Sequence, residues 1–151
     1  MAFGLYPSFV SNKDERIAAM AGQFREGKLD PHYTGYFELF NQGKYFEAHE
    51  VLEHIWLKDR NGPNGAFHKG LIQLAGAFVH LQKDRPQPAA SLFKLALANL
   101  ESYPRLHEHL NLESTCGLIQ TWLAVLERAH FKIKPLMATN APELKLVANG
   151  T

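Results

Sequence analysis

Apolar side chains recur at helical spacing in six successive segments, and glycine, proline or a capping residue bounds each one. That pattern confines the chain to an all-α architecture, because a half-buried strand needs alternation and none of these runs alternates. The spacing predicts helices over Asn12–Glu26, Pro31–Gln42, Tyr45–Lys58, Ala66–Gln82, Pro88–Tyr103 and Leu112–Phe131. Ser11 and Asp14 form a capping-box pattern ahead of the first, and Gly27 stops it. Asp30-Pro31 supplies an N-cap followed by proline at the first helical position. Gly43 separates the second helix from the third, the turn-rich Arg60–Gly65 separates the third from the fourth, and Asn111 caps the last. Short connections make consecutive helices antiparallel neighbours. The expected fold is a compact array of about six helices built from antiparallel helical hairpins, with no convincing strand.

The chain has 151 residues, which suits one domain around a single core. Residues 11–131 are read as that helical domain, 1–10 as an apolar and aromatic lead segment, and 132–151 as a loose C-terminal tail. The core-facing stripes are Ile17, Met20, Ala21 and Phe24, then Tyr33, Tyr36, Phe37 and Phe40. Tyr45, Ala48, Val51, Leu52, Ile55 and Trp56 form the next, with Phe67, Leu71, Leu74, Phe78 and Leu81 after them. Leu92, Phe93, Leu95, Ala96 and Leu100 point inward from the fifth segment, and Leu118, Ile119, Trp122, Leu123, Val125 and Leu126 from the sixth. Arg105–Asn111 reads as a connection with His107 and His109 at the surface.

The formal net charge is +1 and no stripe of lysine and arginine stands out, so nucleic acid is not an expected partner. Cys116 is the one cysteine, which rules out an intrachain disulfide and fits a reducing compartment. No apolar run reaches membrane-spanning length and the N-terminus lacks a signal-peptide core, so a cytoplasmic location without membrane contact is expected.

Candidate chemistry concentrates on the third and fourth helices. On a helical wheel His49, Glu50 and Glu53 occupy the flank between the apolar sector and the solvated one, beside Phe46 and Leu57. Such a mixture fits either a solvated rim or a pocket wall. His49 and Glu53 are four apart and share a face. The run HEVLEH is not a zinc-protease motif, because the residue four after His49 is Glu53 and His54 points elsewhere. No cofactor motif is evident. A divalent metal is the one cofactor the pattern leaves open, with His49 and Glu53 as weak ligands. On the fourth helix a polar strip of Lys69, Gln73, Gly76 and His80 runs through an apolar context. Gly70 and Gly76 each weaken a helix interior by about 1 kcal/mol relative to alanine, which points to a packing or functional demand.

Two stretches, FNQGKYFEAHEVLEHIW at Phe40–Trp56 and FHKGLIQLAGAFVHLQK at Phe67–Lys83, resemble the domain-of-unknown-function 309 (DUF309) family. The resemblance continues into PAASLFKLAL and covers roughly half the chain. It implies an all-α array of helical hairpins, with His49, Glu50, Glu53, Trp56, Gln73 and His80 at signature positions and no established activity. Lys69 stands where glutamine is common in the family, and Lys83-Asp84-Arg85 replaces a turn that is often Gly-Asn. GKYFEAHEVLEHI and DRPQPAASLFKLAL also resemble, more weakly, second helices of tetratricopeptide repeats, although their spacing exceeds the usual period of about 34 residues.

Three readings of function follow. The leading one is a helical domain binding a small-molecule ligand or a protein partner segment at His49, Glu50, Glu53, Lys69, Gln73, Gly76 and His80, between the two central helices. The second is a metal-assisted or acid–base, hydrolase-like enzyme using His49, Glu50, Glu53 and His80. The third is a structural or homo-oligomerising protein in which the polar cluster fixes helix register. Common to all three is the fold, and a far-ultraviolet circular dichroism spectrum dominated by helix is the expected measurement; a strand-dominated spectrum would contradict it.

Overall fold

Asp30 caps the helix that follows it, as expected: its carboxylate accepts the His32 N–H at 2.7 Å, and Pro31 takes the first turn. The computed structural model describes residues 13, 15–17 and 29–148. Helix α1 is Pro31–Asn41, α2 Tyr45–Lys58, α3 Gly65–Gln82, α4 Pro86–Leu100 and α5 Leu112–Arg128. Lys13, Glu15, Arg16 and Ile17 are helical too, and Ile17 is buried. The remainder of the predicted first helix, with Met20, Ala21, Phe24, the Ser11–Asp14 box and Gly27, lies outside the described residues, as do the 1–10 lead and 149–151. Tyr45–Lys58 matches its predicted bounds, and the other observed ends lie within three residues of the predicted ones, the usual uncertainty of fraying termini.

Each helix packs against its sequence neighbours, α1 on α2, α2 on α3, α3 on α4 and α4 on α5. Gly43 turns the chain between α1 and α2 at φ 78°, where a side chain would be strained. Asp84 turns it between α3 and α4 at φ 57°; aspartate is among the few residues with a side chain that tolerate this region. The Asn111 side chain caps α5 by accepting the Ser114 N–H at 3.0 Å.

Phe78 of α3 is the centre of the core. Its ring lies 5.6 Å from Phe40 of α1, 5.1 Å from Tyr45 of α2, 5.3 Å from Phe93 of α4 and 5.0 Å from Trp122 of α5. Three of these contacts are edge-on, the arrangement aromatic quadrupoles favour. Tyr36 is wholly buried, and its hydroxyl donates to the Leu71 carbonyl at 2.6 Å. That bond answers the phenol's need for a partner.

Four expectations need correction. Arg105–Asn111 is not a plain connection: Leu106–His107 (β1) and Leu110–Asn111 (β2) pair antiparallel. Glu108 and His109 form the tip with positive φ, the conformation that a two-residue hairpin needs. His107 and His109 are half-buried rather than at the surface. His107 Nε2 lies 2.7 Å from Asn64 Oδ1 with its ring 4.8 Å from those of Phe67 and Tyr103, and His109 Nδ1 lies 2.8 Å from the Val147 carbonyl. The stretch after residue 131 is not loose throughout. Leu144 is buried, and the Asn41 amide donates to its carbonyl at 2.7 Å and accepts from its N–H at 2.8 Å. Leu146 bridges to Leu110. Lastly, Trp56 is half-buried and Leu95 is 51% exposed, so neither belongs to the central core.

Two outcomes follow from this packing. Phe78→Ala should cost about 3–5 kcal/mol in urea denaturation, whereas Leu57→Ala, at an exposed position, should change stability by less than about 0.5 kcal/mol. A small loss at Phe78 would contradict its central place. His68, packed beside Phe67 and Tyr33, has its pKa pushed below the usual 6.5 by burial. The folded state therefore binds fewer protons than the unfolded chain, and stability drops as pH falls below 6.5 towards the folded pKa. Denaturant midpoints measured across that window should fall more gently in His68→Gln; an unchanged slope would contradict the assignment.

Candidate functional site

Helices α2, α3 and α4 leave a groove of about 490 Å³ between them. That volume lies within the range of small-molecule sites, roughly 300–1,000 Å³. Apolar walls come from all three helices: Phe46 of α2, Ile72 and Val79 of α3, and Leu92 and Leu95 of α4. Phe46 and Leu95 are each 51% exposed, an arrangement that leaves the mouth of the groove apolar.

Five of the seven residues singled out from sequence line this groove: His49, Lys69, Gln73, Gly76 and His80. Helical geometry explains the gathering. Lys69, Gln73, Gly76 and His80 follow one another at spacings of three and four, so they form a single strip along α3. The opposite face of α3 carries Phe67, Leu71, Leu74 and Phe78, all fully buried, and this fixes the strip's orientation towards α2 and α4. At Gly76 a Cβ would come within 3.1 Å of Leu92 Cδ1, so the missing side chain is what lets the wall of α4 stand this close. Gly70 serves a different contact: a Cβ there would meet Leu100 Cγ at 2.8 Å, so it seats α3 on α4 and does not widen the groove.

Lys69 holds its ammonium 4.4 Å from the centre of the Trp56 ring, a cation–π contact that steadies a flexible stem. The Gln73 carbonyl oxygen accepts from the Asn99 amide at 2.7 Å. His49 and His80 each have a buried Nδ1 with no hydrogen-bond partner among the described residues. Burial, helped by Arg85 and Lys83, pushes the His80 pKa down, which favours the neutral ring.

Glu50 and Glu53 do not line the groove. Glu50 is buried, and its two oxygens receive the Arg16 guanidinium at 2.6 and 2.8 Å. Glu53 lies between Lys13 Nζ at 3.5 Å and His49 Nε2 at 3.7 Å. His49 and Glu53 thus form a two-group pair, and among the described residues no group of three histidine, cysteine or acidic side chains is placed to hold a metal. Cys116 is half-buried, with its thiol pushed up by burial and by Glu101.

Sequence reasoning missed Asn99, which orients Gln73, and the exposed role of Leu95. Asn99 is a polar residue in a stretch otherwise read for its apolar stripe, and its four-residue offset from Leu95 was the available signal. A second, larger cleft of about 730 Å³ lies between Gly43, the end of α3 and residues 134–141; it contains none of the seven. Tyr45 lines that cleft; its buried hydroxyl has no hydrogen-bond partner among the described residues, and burial pushes its pKa up to about 12. Among the described residues no helix is long and apolar enough to cross a membrane.

The family described as Domain of unknown function (DUF309) matches residues 33–92. An uncharacterized protein of Aquifex aeolicus (strain VF5) is 28% identical over 137 residues, 89% of this chain and 37% of that protein. The uncharacterized protein YpuF of Bacillus subtilis (strain 168) is 32% identical over 82 residues, 54% of this chain and 47% of that protein. The chain thus spans less than half the length of either curated relative. No solved structure gives a significant match. The matched residues run from α1 to Leu92 and include all seven residues singled out above, and over them the chain is similar to the DUF309 family.

Proposed function

We propose that this protein is a binding domain whose ligand lies in the groove between α2, α3 and α4. What carries the reading is the meeting of five residues, chosen from sequence for their chemistry, in one groove with apolar walls. An apolar cleft with a few convergent polar groups is the usual form of a small-molecule site. The acid–base alternative has less support, because Glu50, the buried carboxylate it relied on, is engaged by Arg16. A neutral solvatochromic dye, Nile red, tests the groove without presupposing a charged ligand. It should bind with a blue-shifted emission at one site per chain. Leu95→Lys places a charge on the exposed wall and should weaken binding at least about tenfold, a loss of about 1.4 kcal/mol. Leu57→Lys, at an exposed apolar position outside the groove, should leave binding unchanged. Absence of dye binding, or equal losses in the two variants, would overturn the proposal.

A further inference from the structure

The polar groups of the groove are not a random mixture of donors and acceptors. The Gln73 carbonyl oxygen is turned to the Asn99 amide, which leaves its NH₂ as the group presented to a ligand. Lys69 is donor only. His80 has its Nδ1 buried away from any acceptor among the described residues, so an N–H there would go unanswered at a cost of about 1–3 kcal/mol. The favoured tautomer therefore carries its proton on Nε2. His49 has the same buried Nδ1, and its Nε2 is turned to Glu53 at the rim. Among the described residues no carboxylate lines the groove. The groove offers a ligand hydrogen-bond donors and one full positive charge.

The positions along α3 add a length. Lys69 and Gln73 are four residues apart, so one head group reaches both. Gln73 and His80 are seven apart, about 10 Å along the axis at 1.5 Å per residue. Between them lie Gly76 and Val79, faced by Leu92 and Leu95. From this complementarity we infer that the ligand is an apolar monocarboxylic acid of medium length. Its carboxylate meets Lys69 and the Gln73 amide, and its body runs past Gly76 towards His80. The inference rests on the binding reading above and adds the chemical class of the ligand.

Isothermal titration of the full chain with octanoate, octan-1-ol and octylamine separates the two claims. Octanoate should bind at one site per chain and at least about tenfold more tightly than octanol, with octylamine weakest, as charge complementarity requires. Lys69→Met keeps the stem and removes the charge. It should weaken octanoate about tenfold or more while leaving octanol within about twofold. Lys69→Glu should invert the preference towards octylamine, a gain that a merely unfolded variant cannot show. Octanol binding as tightly as octanoate, or Lys69→Met weakening both alike, overturns the acid while leaving the groove. Failure of all three probes with Nile red still bound also overturns the acid class. Failure of Nile red as well overturns the binding reading itself.

Discussion

The Phe78 ring is the contact on which the rest of this structure depends. It is the one side chain of α3 whose aromatic neighbours come from α1, α2, α4 and α5 together. A helical array made of successive hairpins has mostly local contacts, and local contacts alone do not settle how one hairpin sits on the next. A shared ring does, because edge-on aromatic packing is sensitive to both distance and angle. With Phe78 locked, the rotation of α3 about its own axis is set, and the strip from Lys69 to His80 has one direction to face. The groove is thus a consequence of the core: the same helix buries one side completely and leaves the other side lined but open.

Most of this was legible in the sequence. Periodicity and capping residues locate the helices, and i, i+3 and i+4 spacing alone groups Lys69, Gln73, Gly76 and His80. What escaped detection was of two kinds. The first is pairing between distant segments. Nothing local in Glu50 announces Arg16, and a wheel places Glu50 on a mixed flank without saying which partner satisfies it. The second is short extended structure. Pro142, Leu144 and Leu146 are inward while Glu143, Lys145 and Val147 are exposed, an alternation with the period of a strand. That signal was present, but it is too short to stand out from a polar terminus without Asn41 and Leu110 to receive it. Trp56 and Leu95 show the limit of the wheel itself. Both fall in an apolar sector, yet a sector wider than the available contact leaves its edges half-covered, and these two residues are at such edges.

The separation of charge around α2 follows from the same packing and gives the groove its character. A buried carboxylate needs a partner that can satisfy several lone pairs, and a guanidinium supplies two parallel N–H bonds in one plane. Arg16 fills that role for Glu50, and Lys13 stands by Glu53, so the acidic flank of α2 is answered by the segment carrying residues 13–17. His49, one position before Glu50 and therefore about 100° around the helix, is left to face α3. Had either carboxylate turned inward, it would have paired with Lys69 or with an imidazole and filled the groove with an internal salt bridge. Because both are drawn off, Lys69 has the Trp56 face as its neighbour among the described residues, a contact that holds the ammonium in place without neutralising it. The uncompensated charge is therefore produced by an ion pair formed on another side of α2, and it ties the groove's chemistry to the Arg16–Glu50 fork.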